Sequence, residues 1–209
     1  MLITVDGGGT INSAFFSNFN PNSYSSVTMA SAICAMGSGI PELIGTWSAT
    51  RSNKNAKYIL LVGDGSLAFN IQDLSTIKYL GINCHIFVIC NSGYSSIRNT
   101  LDSFLEGRHN GVSEESGVLL PEVKSYASSY GFKYHRLDFY NFQRKNLINE
   151  IIANNHQSIS EVIINPKQII SPTQGFRKQN DGTFKASPLY QMNPELSKDI
   201  ESLLSTFIN

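Results

Sequence analysis

An aspartate set between glycines, followed one strand–helix–strand crossover later by an asparagine, could hold a cation. The aspartate is Asp64 in Gly63-Asp64-Gly65-Ser66, and the asparagine is Asn91 in Asn91-Ser92-Gly93. Each follows a continuously apolar run, YILLV at 58–62 and HIFVIC at 85–90. A right-handed crossover returns the chain near its starting strand, and adjacent strands lie about 4.8 Å apart. Both side chains then reach one edge of a sheet. A carboxylate and an amide oxygen are hard ligands suited to Mg²⁺ or Ca²⁺. Two protein oxygens are too few for a closed cage, and Mg²⁺ takes its remaining ligands from waters and phosphates. Beside Asp64 a helix opens at residues 66–67, offering free N–H groups to an anion, and Gly65 lets a phosphate approach the backbone. A lone Gly-Asp-Gly is an ordinary tight turn; its pairing with Asn91 points instead to a metal–diphosphate ligand.

The elements that must position this pair follow from the apolar pattern. Strands are predicted over 2–5, 58–62, 85–90, 132–137 and 161–165. Helices are predicted over 38–50, with Pro41 in the first turn where proline is tolerated, and over 67–80, where Leu67, Ile71, Leu74, Ile77 and Leu80 recur at three- and four-residue spacing. Gly81 ends that helix. Further helices are predicted over 94–105, 121–130, 142–154 and 194–207, and residues 107–117 read as a polar loop. Strands that are apolar without alternation, separated by helices, mean a parallel sheet covered on both faces. The fold class is α/β, a doubly wound parallel sheet. Residues 1–170 form the ligand-binding domain, and 171–209 an irregular, partner-facing tail with a C-terminal helix packed on the same domain.

Composition narrows the partners. The chain has 209 residues, 15% of them charged, with 16 basic and 16 acidic side chains and no net charge. A nucleic-acid binder would need a basic face. No apolar run reaches the roughly 18 residues of a membrane span, and the N-terminus has no signal-peptide pattern. Cys34, Cys84 and Cys90 have no metal spacing and read as small core residues of a reducing, cytoplasmic compartment. A Walker-type site is excluded for want of Gly-Lys-Ser/Thr, and Gly37-Ser38-Gly39 makes a poor dinucleotide fingerprint.

Three blocks in order resemble the acetolactate synthase-like, thiamine-diphosphate-dependent enzymes over roughly residues 2–165. They are Asp6–Thr10, Ala35-Met36-Gly37-Ser38-Gly39-Ile40-Pro41-Glu42-Leu43-Ile44-Gly45, and Gly63-Asp64-Gly65-Ser66 through Asn91. The resemblance implies the diphosphate-binding, C-terminal domain of such an enzyme. It implies that Asp64 and Asn91 bind Mg²⁺ through side-chain oxygens and Gly93 through its carbonyl. Gly9, Thr10, Gly63, Gly65 and Ser66 would hold the diphosphate. Met36 would support the thiazolium, its N–H meeting the pyrimidine ring and the Cys34 carbonyl meeting the amino group. Ser95 and Ile97 would line the facing side.

The resemblance also implies an absence. The activating glutamate of the family lies on a separate pyrimidine domain and is donated across a subunit interface. Glu42, Glu114, Glu115 and Glu122 read as solvated or helix N-terminal charges, so this chain is expected to hold half an active site. It would work in a homo- or hetero-oligomer with a pyrimidine-binding partner, on a small 2-oxo acid such as pyruvate. Cys90 stands where many members have a further Asn, and the Ile97-Arg98-Asn99-Thr100 stretch resembles a subgroup of uncertain substrate, which leaves the acceptor open. Of the histidines, His85 reads as core and His109 as the one that could see substrate. Two alternatives stand beside this reading. Asp6-Gly7-Gly8-Gly9-Thr10 also resembles the first phosphate loop of actin-like sugar kinases, where the chain turns into an antiparallel hairpin that residues 11–16 could begin. The other alternative is a non-catalytic cofactor-binding domain.

Overall fold

The computed structural model describes residues 1–20, 25–29, 33–144, 146–171, 173–188 and 190–207, with their side chains except those of Thr10, Arg177 and Lys178. The chain divides into two units, Met1–Gln168 and Ile169–Asn209.

The first unit is built on six strands: β1 (Leu2–Val5), β2 (Ser26–Met29), β3 (Tyr58–Gly63), β4 (Cys84–Cys90), β5 (Lys133–Leu137) and β6 (Ser158–Ile163). They pair in the order β2-β1-β3-β4-β6-β5, every pairing parallel. The helices are α1 (Gly9–Asn18), α2 (Gly39–Thr50), α3 (Asp64–Phe69), α4 (Leu74–Leu80), α5 (Ser95–Phe104), α6 (Val123–Ser129), α7 (Phe139–Phe142) and α8 (Leu147–Ala153). Successive side chains of a strand face opposite sides, and here both sets are apolar. Leu60, Val62, Ile86 and Val88 join Ile40, Leu43, Leu67, Leu74 and Ile77 in one core. Ile59, Phe87 and Leu137 join Phe15 and Ile151 in another. Two cores with helices on each face make the expected doubly wound α/β domain. No helix among the described residues is long and apolar enough to cross a membrane.

Several boundaries differ from the sequence reading, each for a local reason. The helix expected over 67–80 begins at Asp64 and breaks at Asn70 (φ −133°, ψ 35°), followed by one 3₁₀ turn (Ile71–Asp73) before α4. Asn70 gives its amide Nδ2 to the Gly37 carbonyl at 2.6 Å and accepts from Gln72 Nε2 at 3.1 Å. Such side-chain bonds compete with helix continuation. Gly81 then closes α4 at φ 64°, the left-handed conformation for which glycine is suited. Of the helix expected over 142–154 the structure forms α8 over Leu147–Ala153, while Phe142 is the last residue of α7, which Asp138 caps by accepting from Tyr140 N and Asn141 N, each at 3.1 Å. β6 starts at Ser158 rather than 161; Ser158 and Ser160 are buried, so an apolar-run criterion misses them. Cys84 is buried, but Cys34 is exposed and is not a core residue.

Among the described residues no antiparallel hairpin of the kind the kinase alternative requires follows Asp6–Thr10. Residues 11–16 lie in α1, and β2 returns parallel to β1, which removes that alternative's premise.

His85 is the buried histidine of this sheet. Its Nδ1 shares a 2.8 Å hydrogen bond with Ser158 Oγ, while Nε2 has no hydrogen bond of normal geometry. Burial first, then the charges of Lys57 and His135, hold its pKa below the usual 6.5, against the raising effect of the Ile152 and Asn154 backbone. The unfolded chain then binds the proton more readily, so stability is fully present above pH 6.5 and falls as the pH drops toward the folded-state pKa. Urea unfolding should therefore show a lower midpoint at pH 5.5 than at pH 7.5, and the His85→Gln chain a smaller difference. Equal slopes for both chains would refute this.

The second unit holds two antiparallel pairs, β7 (Thr173–Gln174) with β10 (Met192–Asn193) and β8 (Phe176–Lys178) with β9 (Phe184–Ala186), and helix α9 (Lys198–Phe207).

Candidate functional site

Chain order reverses between β1 and β3: β2 lies to one side of β1, and β3 and β4 to the other. In open α/β sheets the crevice at such a switch point, off the carboxyl ends of the strands, is where ligands bind. β1 ends in Asp6-Gly7-Gly8-Gly9, β3 runs directly into Asp64, and β4 ends at Asn91.

The register pairs Gly63 with Ile89, so Asp64 and the Asn91 turn share one edge. Asp64 Oδ2 accepts from Asn91 N at 3.1 Å and from Gly93 N at 3.3 Å, and Oδ1 accepts from Gly65 N at 2.8 Å. Burial raises the Asp64 pKa above its usual value, and the surrounding backbone N–H groups oppose that rise. Asn91 donates Nδ2 to Ser95 Oγ at 2.9 Å. That bond orients the amide, and Asn91 Oδ1 is buried without a hydrogen-bond partner. A buried acceptor left unpaired costs about 1–3 kcal/mol. Its presence beside a carboxylate fits a hard divalent cation. Gly93 has φ 119°, and a Cβ there would lie 2.3 Å from Val112 O, so only glycine fits this turn. A cavity of about 340 Å³ opens beside Asp64, Cys90 and Ser92.

The other anticipated segments converge on the same edge. The Cys34–Met36 turn docks against both neighbours. A Cβ on Gly7 would lie 2.3 Å from Ala35 O, and one on Gly37 2.7 Å from Phe69 Cβ. Cys34 is in the left-handed region at φ 51°, with Sγ accepting from Asn12 Nδ2 at 3.6 Å. Met36 and Ile97 stay partly exposed, at 38% and 52%. Gly9 opens α1 within reach of Ser96 Oγ. Thr10 follows it in the same helix, and its side chain lies outside the described residues.

Several of these residues also make contacts within the chain. Ser66 Oγ accepts from Gly37 N at 2.8 Å and donates to Asp6 Oδ2, so its hydroxyl is already committed. The Tyr94 ring packs over Gly65, where a Cβ would meet it at 2.4 Å, so only glycine leaves room beneath the ring. α3 is a six-residue helix starting at Asp64, much shorter than the helix expected over 67–80. Glu42 lies in the first turn of α2 as expected, but it is not solvated: both carboxylate oxygens are buried without hydrogen-bond partners. His109 Nε2 bonds Asp102 Oδ1 at 2.7 Å.

Asp6 is the residue that sequence reasoning passed over. It is fully buried, and it accepts from Gly8 N at 3.3 Å, Gly39 N at 2.8 Å and Ser66 Oγ. One carboxylate thus ties together the glycine-bearing segments 6–9, 37–39 and 63–66. Its signal was its place at a strand end before three glycines.

Comparison with known proteins supports the fold and places the chain in a family. Residues 7–162 match the family described as thiamine pyrophosphate enzyme, C-terminal TPP binding domain. The chain is 31% identical over 104 residues to the acetolactate synthase large subunit of Cyanidium caldarium, covering 50% of this chain and 17% of that protein. It is 34% identical over 73 residues to a pyruvate decarboxylase of Aspergillus terreus, covering 35% and 12% respectively. The matched stretches thus span less than a fifth of either relative. Benzoylformate decarboxylase from Polynucleobacter necessarius shares the fold at a TM-score of 0.67 and 18% identity, over 81% of this chain and 31% of that one.

Proposed function

The chain belongs to the C-terminal TPP-binding domain family of thiamine pyrophosphate enzymes, and from that membership we propose that it is the thiamine-diphosphate- and Mg²⁺-holding half of an acetolactate synthase-like enzyme acting on a 2-oxo acid such as pyruvate. The observation that carries the metal part is the buried, unpartnered Asn91 Oδ1 on the turn that Asp64 pins. Asp64 and Asn91 would hold Mg²⁺ with their side-chain oxygens, and Gly93 with its carbonyl. Gly9, Thr10, Gly63, Gly65 and Ser66 would meet the diphosphate, Ser66 through its backbone N–H because its hydroxyl is engaged. Cys34 and Met36 would face the pyrimidine and thiazolium, with Ser95 and Ile97 opposite.

When bound, thiamine diphosphate supplies an electron sink for breaking a bond next to a carbonyl. This chain's residues bind and orient the cofactor, and the activating glutamate would come from a pyrimidine-domain partner. The partial exposure of Met36 and Ile97 leaves apolar surface for that partner to cover and so to exclude water.

Calorimetry should show thiamine diphosphate binding that requires Mg²⁺. The chain alone should not decarboxylate pyruvate, whereas the chain mixed with a pyrimidine-domain partner should. Absence of Mg²⁺-dependent binding would overturn the reading, and turnover by the isolated chain would overturn the half-site part of it.

A further inference from the structure

Arg98, in the first turn of α5, reaches back over the turn that α5 follows. Its Nη2 donates to Asn91 O at 3.0 Å and to Pro166 O at 2.8 Å, and its Nη1 donates to Ser92 O at 3.4 Å. The Ser92–Gly93 peptide is therefore held at both ends, its carbonyl by Arg98 and its N–H by Asp64 Oδ2. Ser92 sits at φ 62°, a left-handed conformation that a non-glycine residue adopts only when its surroundings impose it. A flip of that peptide would withdraw Gly93 N–H from Asp64 and turn the Ser92 carbonyl toward the carboxylate. A guanidinium presents several donors in a rigid fork, and here the fork spans the carbonyls of two consecutive residues and the segment after β6.

We propose that Arg98 is a positioning residue for cation binding: by holding the Asn91, Ser92 and Pro166 carbonyls it keeps the 91–93 turn in the one conformation that places Asn91 and Gly93 beside Asp64. This rests on the cofactor reading above for its metal, and on hydrogen bonds within this chain for its mechanism. Partners that orient metal ligands typically change metal affinity by about 10–100-fold.

Two measurements on the 209-residue chain test it. In calorimetric titrations of thiamine diphosphate at increasing Mg²⁺, Arg98→Met should raise the Mg²⁺ concentration for half-maximal binding by about tenfold or more. Arg98→Lys, which supplies one ammonium in place of the fork, should fall between Arg98→Met and the parent chain. A merely structural arginine would lower the melting temperature and leave the Mg²⁺ midpoint unmoved, which would overturn the proposal. Amide exchange at Gly93 in the ligand-free chain should quicken in both variants, and unchanged exchange would overturn it as well. The exchange measurement needs no cofactor. Failure of the parent chain to bind thiamine diphosphate would thus defeat the cofactor reading, while Arg98 is still judged by the Gly93 amide. Should Arg98→Met not fold, Arg98→Lys carries both readouts.

Discussion

Asp64→Ala is expected to weaken Mg²⁺-dependent thiamine diphosphate binding by about a hundredfold or more, since even residues that only orient a metal ligand cost 10–100-fold, while the chain stays folded. The fold should survive because Asp64 lies at the carboxyl edge of the sheet rather than in either apolar core. Its loss frees the N–H groups of Gly65, Asn91 and Gly93 beside a cavity of about 340 Å³, where water can satisfy them. Asp64→Asn makes the sharper comparison. It keeps the shape and one acceptor oxygen but loses the charge, and it sets an amide NH₂ near donors that need an acceptor. Calorimetry with each variant, paired with circular dichroism, is the measurement. Unchanged binding by Asp64→Ala would end the metal assignment.

Asp6→Ala should behave in the opposite way, damaging the fold first. Hydrogen bonds to a charged group contribute about 1.5–3 kcal/mol each, and a buried donor left without its partner adds a desolvation penalty. Asp6 accepts three bonds in a fully buried setting. A loss of about 3 kcal/mol or more follows, roughly a 6–12 °C fall in Tm for a chain of this size. Asp6→Asn retains an acceptor for Gly39 N–H and should lose less. Because Asp6 ties the loops that carry Gly8, Gly39 and Ser66, cofactor binding should weaken alongside stability in both variants. A melting temperature within about a degree of the parent chain for Asp6→Ala would remove Asp6 from this role.

The two aspartates mark what could be read in advance. Asp64 and Asn91 were legible because strand ends, a crossover and a glycine turn are local features, and a parallel crossover leaves few ways to place them. Asp6 was visible only as part of a glycine-rich segment, since its partners Gly39 and Ser66 are distant in sequence. Arg98 was legible as part of a resembling stretch, but its work on three carbonyls was not, because nothing in a side chain's type says which backbone oxygen it will meet. The same limit hid the break at Asn70. The apolar spacing through Leu67, Leu74 and Ile77 is satisfied by one helix or by two short ones, and a hydrogen bond to Gly37 decides between them.

By itself the amino-acid sequence determined the class of fold, the placement of β1, β3, β4 and β5, the convergence of the Asp64 and Asn91 segments, and the family resemblance, because hydrophobic period and turn chemistry act over a few residues. Only the tertiary structure decided which polar groups are spent and which are left over. Ser66 is committed to Asp6 and Gly37, Tyr94 covers Gly65, and Asn91 Oδ1 is left unpaired. Those outcomes depend on ångström-scale distances between segments far apart in the chain, and only packing fixes such distances.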